Sequence, residues 1–420
     1  MSPRALIDLT AALLSEVLRF EHPADKSLSA FFRRQRALGP RERHAIAETV
    51  YEVLRRRPLL QHLAQGGAGP MPRRLVLLGW QGQATLLERA IGPEEARWLA
   101  HVRTLPLVDL PVRLQRNLPD WIDQALSLSM PPGEVDALAA ALLVPAPLDL
   151  RVNTLRCSRE EAQAALAAEG VQADLTPWSP WGLRVQGKPA INRMAVFLDG
   201  RVEVQDEGSQ LLALLTGAAR GQMVVDFCAG AGGKTLALGA MMRNTGRLYA
   251  FDTSAHRLAE LQPRLARSGL SNIHPAAIAH ERDDRVRRLA GKIDCVLVDA
   301  PCTGLGTLRR NPDLKWRQTP SAVAELVPRQ TAILASAARL LRPGGRLVYA
   351  TCSLLRAENE EVAAAFQAEH GRDFAALPVA ELLAQARVEG AADLDTGGHL
   401  RLWTHRHATD GFFAAVWARR

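Results

Sequence analysis

Two cysteines end strand-like runs in the second half of the chain, Cys302 in LVDAPCTG and Cys352 in LVYATCS. Cysteine is scarce, with five in 420 residues, and a glycine-rich turn, DFCAGAGGKT, lies upstream of both. Two thiols placed after strands of a nucleotide-type domain predict nucleophilic chemistry on a bound substrate. The alternative is a pair of inert core thiols, the usual role of a lone cysteine after a strand.

The glycine-rich turn predicts a cofactor site. Glycines let the backbone approach a ligand closely, and the helix N-terminus that follows favours an anionic group. The spacing fits neither the GxGxxG of dinucleotide sites nor the GxxxxGK[ST] of a P-loop. Asp252 ends the next strand, 19 residues after Gly233, where an acid can accept hydrogen bonds from ribose hydroxyls. Together they predict S-adenosylmethionine, although a structural turn with a surface acid gives the same pattern.

The segment that begins at Asp299, DAPCTGLGTLRRNPDLKW, contains proline, glycines, basic residues and a tryptophan. It predicts a loop at the carboxyl edge of a sheet. Basic side chains beside an aromatic ring can hold phosphates and stack a base. An isolated loop of this kind is more often a solvated surface. The residues concerned are Arg309, Arg310, Lys315 and Trp316.

The elements that must position these groups alternate between strands and helices. From Gly221 the apolar runs MVVDF, RLYAFD, CVLVDAP and RLVYATCS are separated by helical segments. This alternation predicts an α/β fold with a doubly wound parallel sheet covered on both faces. Upstream, LDLRVNTL and WGLRV read as strands around a helix that Ser158 caps, which indicates a small α+β segment.

The first part of the chain shows only helical periodicity. Residues 4–20 and 41–57 place leucine, isoleucine and valine at three- and four-residue steps, and residues 72–104 also read as helical. The chain therefore divides into an all-α domain over residues 1–140, an α+β lead-in over 145–215 and the large α/β domain over 216–420. A length of 420 residues is typical of a chain with two or three domains.

The net charge and the cysteines indicate which binding partner and which cellular compartment to expect. The net charge is +8, and residues 1–120 carry 18 Lys and Arg against 12 Asp and Glu. Basic clusters such as FRRQR and RRR predict a polyanion partner, with a solvated helix face as the alternative. No apolar run reaches membrane-spanning length, and the N-terminus does not read as a signal peptide. Without CxxC pairs the five cysteines predict no zinc site and a reducing cytoplasm, and His405 and His407 are expected to be structural.

The motifs together resemble a known family. DFCAGAGGKT, AFD, DAPCTGLGTLRRNPDLKW and ATCS, with VEVQDEGSQ upstream and THRHATDGFFAA near the end, resemble the RNA cytosine-5 methyltransferases of the bacterial ribosomal RNA and Nop2/Sun type. The resemblance covers about residues 145–420. The first 130 or so residues are more weakly similar to the NusB-like RNA-binding domain of the bacterial small-subunit rRNA enzymes.

The resemblance implies a Rossmann-like methyltransferase domain that modifies carbon 5 of a cytosine in RNA, with 16S rRNA as the first expectation. In this family the TC cysteine attacks the base and the PC cysteine assists release, which assigns attack to Cys352 and release to Cys302. Asp299 would hydrogen-bond the base edge and Lys234 would help position the base. A monomer is expected. The cofactor contacts are expected among Cys228, Ala229, Gly230, Ala231, Gly232, Gly233, Lys234, Asp252, Asp283 and Asp299.

The sequence departs from the family pattern at two points. Ala231 stands where the usual CAAPGGK turn has proline, and the acid expected near the adenine falls in AIAHERDDRV. Asp283 is our choice for that acid, with Asp284 or His280 as alternatives. Two other functions stay open: a DNA or amino-group methyltransferase, and a non-catalytic RNA-binding assembly factor. A DNA enzyme would need only the PC cysteine, and cofactor binding would argue against the assembly factor.

Overall fold

The computed structural model describes residues 1–131 and 133–420. Two compact units are present, one formed by Met1–Pro145 with Thr307–Pro320 and the other by Ala146–Gly306 with Ser321–Arg420. Within these described ranges, no helix is long and apolar enough to span a bilayer.

The first unit is built from helices, and its described part contains no strand, as the sequence predicts. The helices form because apolar side chains recur on one face, where Leu6, Leu13 and Val17 of the first helix are buried. Ser2 caps that helix by accepting from the Ala5 N–H. The helices are α1 Pro3–Val17, α2 Ala24–Arg34, α3 Pro40–Arg55, α4 Arg57–Leu63, α5 Met71–Gly79, α6 Ala84–Ala90, α7 Pro93–Val102, α8 Val112–Arg116, α9 Asp120–Ser127 and α10 Glu134–Leu142.

The segment Thr307–Pro320 packs inside this helical unit. Lys315 is 3 % exposed, and its Nζ donates to the backbone oxygens of Arg55 and Asn117, each at 2.7 Å. These carbonyls lie at the C-terminal ends of α3 and α8, where a lysine ammonium is a favourable partner. Trp316 Nε1 donates to the Leu54 carbonyl. The interpretation of Lys315 and Trp316 as nucleic-acid contacts is therefore wrong, because both anchor the segment among the helices.

The basic clusters of the helical unit differ in exposure to solvent. Arg55 is 5 % exposed and donates to the Arg309 carbonyl, while Arg57 lies over the rings of Phe20 and Trp316. That cluster is part of the packing and is not an open basic face. Four other arginines near α2 and α3 are exposed, namely Arg33, Arg34, Arg36 and Arg41.

The second unit begins with a four-stranded antiparallel sheet in the order β2-β3-β1-β4. Its helix α11 starts at a capping box in which Ser158 and Glu161 bond each other's backbone N–H, so the predicted cap is confirmed. The predicted strands are present as β1 and β3. The elements are β1 Leu148–Val152, α11 Arg159–Ala168, β2 Ala173–Leu175, β3 Gly182–Val185, α12 Ala195–Leu198, β4 Val202–Val204 and α13 Glu207–Leu215.

The large sheet follows in the order β11-β12-β13-β9-β8-β5-β6-β7, with β10 paired to β13. Its centre is parallel, and its strands are buried on both faces because helices cover each side, which confirms the predicted α/β fold. Its elements are β5 Met223–Asp226, α14 Gly233–Met241, β6 Arg247–Asp252, α15 Ala255–Ser268, β7 Ile273–Ala277, α16 Asp284–Arg287, β8 Ile293–Asp299, α17 Leu314–Arg317 (in the inserted segment), α18 Pro320–Ala338, β9 Leu341–Thr351, α19 Glu360–His370, β10 Phe374–Ala376, α20 Val379–Gln385, β11 Asp395–Thr396, β12 His399–Leu402, α21 Thr404–His407 and β13 Phe412–Arg419.

Two features of this sheet position the cysteines. β8 and β9 run parallel, with Asp299 opposite Ala350, so the segments that follow them emerge at the same edge. β13 runs antiparallel to β9 and begins at that edge, with Phe413 opposite Thr351. The chain order therefore brings residues from three distant segments to one end of the sheet.

Lys315→Met tests the buried lysine of the helical unit. Burial, helped by Arg55 and Arg56, lowers the pKa of Lys315 to about 7, whereas an unfolded lysine titrates near 10.5. Between these two values the unfolded chain binds more protons, so this lysine makes stability rise with pH from about 7 upward. We expect Lys315→Met to flatten that rise in thermal midpoints measured between pH 6.5 and 10. Lys26→Met, at an exposed lysine of the same unit, serves as the control. A rise in Lys315→Met as steep as in the parent chain would contradict this assignment.

Candidate active site

A cavity of about 550 Å³ opens at the carboxyl ends of the parallel strands. Its volume lies in the range of small-molecule sites. Side chains from the segments after β5, β6, β7, β8 and β9 line it, which is the position where open α/β sheets bind ligands. The lining residues are Phe227, Cys228, Asp252, Thr253, Ser254, Arg257, Ile278, Ala279, His280, Glu281, Asp299, Ala300, Pro301, Cys302, Arg329, Ile333 and Cys352.

The two cysteines meet in this cavity. Their sulfur atoms lie 3.5 Å apart, within hydrogen-bonding distance for thiols, although 50 residues separate them in the chain. The hydrogen bond to Cys352, followed by burial, raises the pKa of the Cys302 thiol well above its ordinary value. Burial likewise raises the pKa of Cys228, and Cys295 is buried within β8. The structure thus brings together the pair that the sequence analysis singled out.

Lys234 and Asp299 form an ion pair beside the thiols. Lys234 Nζ donates to Asp299 Oδ2 at 2.7 Å and lies 5.8 Å from the ring centre of Phe412. Burial alone would lower the lysine pKa, but the Asp299 charge and hydrogen bond more than offset this and raise it. Asp299 lines the cavity, whereas Lys234 is not among the lining residues in the described part of the chain. Lys234 thus reaches the cavity through its bond to Asp299 and its electrostatic interaction with Cys352.

The glycine-rich turn joins β5 to α14. Gly230 and Gly232 both have positive φ, at 56° and 82°, and a Cβ on Gly232 would lie 2.1 Å from Leu261 Cδ1. Of the turn, Cys228 lines the cavity. The predicted contacts from Ala229 to Gly233 form the backbone of the turn and the start of α14, and in the described structure they do not line the cavity.

Asp252 is the acid at the end of β6, and it lines the cavity while being 7 % exposed. Its Oδ2 accepts from the Gly230 N–H and its Oδ1 from the Ser254 N–H, both at 2.8 Å. Arg257 lies 3.8 Å from Oδ2. Each carboxylate oxygen has a second lone pair, so Asp252 can hold the turn in place and still accept from a ligand hydroxyl.

Asp283 and Asp284 do not line the described cavity. The Asp283 carboxylate accepts from the Ala279 and Arg285 N–H groups and caps α16, and Asp284 is an exposed partner of Arg287. His280 lines the cavity wall instead, so of these three residues it is the one that borders the described cavity. Ile278, two residues earlier, adds an apolar side chain to the same wall.

Sequence reasoning missed two buried carboxylates near the site. Asp226 ends β5 at 1 % exposure, accepts from the Thr235 hydroxyl at 2.6 Å, and burial raises its pKa to about 7. Glu358 is completely buried and contacts the residues that follow both cysteines. One feature of the sequence could have pointed to a buried hydrogen-bond acceptor such as Glu358. Each cysteine is followed by a residue with a hydroxyl group, Thr303 or Ser353.

The two cysteine-bearing segments are also joined through their backbones. The Gly306 N–H donates to the Cys352 carbonyl at 2.8 Å, and the Gly411 N–H donates to the Gly306 carbonyl at 2.9 Å. A Cβ on Gly306 would lie 2.0 Å from the Gly411 oxygen and 2.8 Å from the Cys352 oxygen. Only glycine permits this approach, which explains why the GLG and DGFF motifs accompany the cysteines.

Comparison with known proteins identifies relatives for most of the chain. The family described as 16S rRNA methyltransferase RsmB/F matches residues 213–418, and the RsmF/B-like ferredoxin-like domain matches residues 118–192. A probable ribosomal RNA small subunit methyltransferase B of Synechocystis is 36 % identical over 72 % of this chain and 66 % of that protein. The Bacillus subtilis protein of the same name is 31 % identical over 74 % of this chain and 69 % of that protein. The chain thus spans about two thirds of these relatives.

A solved structure shares the fold and part of the sequence. It is a methyltransferase homologue from Pyrococcus horikoshii, 28 % identical, with a TM-score of 0.63. The match covers 75 % of this chain and 100 % of that chain.

Gly306→Ala tests the link between the two cysteine segments. The added Cβ must displace Gly411 or Cys352, so we expect the sulfur atoms to separate and the diamide-induced Cys302–Cys352 disulfide to form at least about tenfold more slowly. Peptide mass spectrometry after alkylation measures the rate. Gly92→Ala is the matched control, because its Cβ would meet nothing within 4 Å. Equal rates in Gly306→Ala and the parent chain would show that the two segments tolerate the Cβ.

Proposed function

Because the chain belongs to the 16S rRNA methyltransferase RsmB/F family, we propose that it transfers a methyl group from S-adenosylmethionine to carbon 5 of a cytosine in RNA, with small-subunit ribosomal RNA as substrate. The observation that carries this proposal is the contact of the two thiols, 3.5 Å apart, in a cavity that Asp252 and Asp299 also line. A single attacking cysteine would not need a second thiol at this distance.

The reaction requires a nucleophile because carbon 5 of cytosine is unreactive. Attack of a thiolate on carbon 6 forms a carbon–sulfur bond and makes carbon 5 an enamine carbon, which takes the methyl group. Loss of the carbon 5 proton to a base then expels the thiolate and restores the aromatic ring. A cytosine within a helix must leave its stack to reach the cavity.

The structure supports Cys352 as the nucleophile and Cys302 as the residue that assists release. The hydrogen bond and burial that raise the pKa of Cys302 keep its proton in place, and a protonated thiol is a poor nucleophile. Asp299, oriented by Lys234, has an oxygen available to accept from the cytosine amino group, which carboxylates recognise. A free reactive thiol also suits a reducing compartment such as the cytoplasm.

The residues of the cavity fit S-adenosylmethionine, which supplies an electrophilic methyl group when bound. Asp252 lies where the ribose hydroxyls need an acceptor, and Ile278 with His280 offers a surface for the adenine. Three N–H groups of the turn, those of Ala229, Gly230 and Gly232, bond within the protein. Of the turn, Cys228 borders the cavity, and we propose that the amino acid end of the cofactor lies beside it.

The helical unit supplies an electrostatic reason for an RNA partner. Its arginines Arg33, Arg36 and Arg41 are exposed in a chain of net charge +8. Exposed arginines bind phosphates and release counterions, so binding should weaken as salt rises. We propose that this surface contributes non-specific affinity, that the base pocket of the second unit contributes chemistry, and that the enzyme acts as a monomer.

RNA with 5-fluorocytosine at the target position tests the reaction and the order of the thiols. Fluorine blocks loss of the carbon 5 substituent, so the parent chain should accumulate a covalent adduct that survives denaturing electrophoresis. Cys352→Ser should give no adduct, and Cys302→Ser should accumulate adduct even on ordinary RNA because release is slowed. Cys157→Ser, at a cysteine outside the cavity, is the control. An adduct that persists in Cys352→Ser and is lost in Cys302→Ser would reverse the assignment.

Asp252→Asn tests the cofactor assignment. Whichever way the amide turns, the side chain loses its charge and one acceptor, so we expect S-adenosylmethionine to bind about tenfold or more weakly in calorimetry. Asp284→Asn removes an exposed acid near the cavity and should leave the affinity unchanged. Affinity in Asp252→Asn within twofold of the parent chain would place the ribose elsewhere.

A further inference from the structure

A fully buried carboxylate lies between the two cysteine-bearing segments. Glu358 is 0 % exposed. Its Oε1 accepts from the Thr303 N–H at 2.9 Å and from Gln330 Nε2 at 3.0 Å. Its Oε2 accepts from the hydroxyls of Thr303 and Ser353. Four donors therefore meet the two oxygens, which is the full capacity expected of an ionised carboxylate.

The partners of Glu358 are the residues next to the reactive thiols. Thr303 follows Cys302 and Ser353 follows Cys352, and the two hydroxyls lie 3.2 Å from each other. Gln330 of α18 extends the network by donating to the Pro301 carbonyl at 3.0 Å, which precedes Cys302. Glu358 thus holds the backbone after Cys302 by its bond to the Thr303 N–H. It holds the backbone before Cys302 through Gln330, which bonds the Pro301 carbonyl.

The backbone around Glu358 is itself held to β9. Tyr349 donates its hydroxyl to the Glu358 carbonyl at 2.6 Å. Asn359, the next residue, donates its side-chain amide to the Ser353 carbonyl at 2.9 Å and accepts from Thr351. Because these groups are buried and each has a partner, the carboxylate has little freedom to move.

We propose that Glu358 is a positioning residue that holds the Cys302 and Cys352 segments together through Thr303 and Ser353 and keeps the proton on Cys302. Its importance for catalysis rests on the proposed function, but its effect on the two thiols does not. The carboxylate has two bonds to the residue after Cys302 and one to the residue after Cys352, so its negative charge opposes ionisation of Cys302 in particular. Electrostatic repulsion from Glu358 indeed contributes to the raised pKa of Cys302.

Other charged and titratable groups face Cys302 and must be held constant in any test. They come from β9, from the end of β8, from the turn after β5 and from α18. They are Cys352, Tyr349, Asp299, Cys228 and Arg329.

Glu358→Gln separates the charge of this side chain from its shape. The amide oxygen can still accept from the Thr303 and Gln330 N–H groups, and its NH₂ can donate to the two hydroxyls. We expect the fold and the thiol contact to persist while Cys302 ionises more easily. Site-resolved iodoacetamide alkylation from pH 7 to 10.5, without RNA or cofactor, should show a Cys302 midpoint at least about one pH unit below the parent chain. Glu361→Gln, the same change at an exposed residue of α19, should leave the midpoint unchanged.

Glu358→Ala removes the connection itself. We expect the diamide-induced Cys302–Cys352 disulfide to form at least about tenfold more slowly, since the two segments lose their common partner. If Glu358→Ala does not fold, the pH profile of Glu358→Gln decides alone. A Cys302 midpoint in Glu358→Gln equal to that of the parent chain, or undiminished disulfide formation in a folded Glu358→Ala, would overturn the proposal.

The RNA reaction is then a separate measurement. If the parent chain forms no adduct with 5-fluorocytosine RNA, the proposed function fails while the alkylation profile still decides the role of Glu358. If it does form one, Glu358→Gln should change the pH dependence of release more than the rate of adduct formation. A merely structural residue would lower both rates together and leave the pH dependence unchanged.

Discussion

The parallel pairing of β8 with β9 is the constraint on which the site depends. With Asp299 opposite Ala350, the two chains leave the sheet at the same edge, and the residues that follow meet although 50 positions separate Cys302 from Cys352. A parallel neighbour requires a long crossover, which here contains the inserted segment Thr307–Pro320 and α18. A shift of one residue in this register would turn every side chain of β9 to the other face and move the second thiol out of contact.

Strand pairing alone leaves the loops free, and a buried polar network restricts them. Glu358 accepts from Thr303, from Ser353 and from Gln330 of α18, and Gln330 also donates to the Pro301 carbonyl. Leaving one such buried group unpaired costs about 1–3 kcal/mol, so the loops have one favourable arrangement and many costly ones. An apolar core would have packed these segments without fixing their hydrogen-bond geometry. Burying these polar groups costs desolvation free energy, but their hydrogen bonds fix the position of the two sulfur atoms.

The sequence predicts the parts of the structure that depend on local pattern. The α/β alternation, the Ser158 cap, the end of β6 at Asp252 and the position of the two cysteines just after β8 and β9 follow from periodicity and from the residue types present. Burial was harder to predict, because it depends on distant partners. Lys315 looks like a phosphate ligand beside Trp316, yet its partners are carbonyls 198 and 260 residues away. Asp283 is an acid in the segment where a cofactor contact was expected, but it caps α16 and does not line the described cavity.

The surroundings of the two thiols give a physical reason for different roles. Glu358, an anion, has two bonds to the residue after Cys302, whereas Lys234, a cation, interacts electrostatically with Cys352. The hydrogen bond to Cys352 and burial, together with the Glu358 anion, raise the pKa of Cys302, whereas the cation acts on Cys352. This difference in surroundings supports the proposed division, in which Cys352 attacks the base and Cys302 assists release. The difference between the two thiols does not come from the cysteines themselves. It comes from the charged groups that lie around the pair at the edge of the sheet.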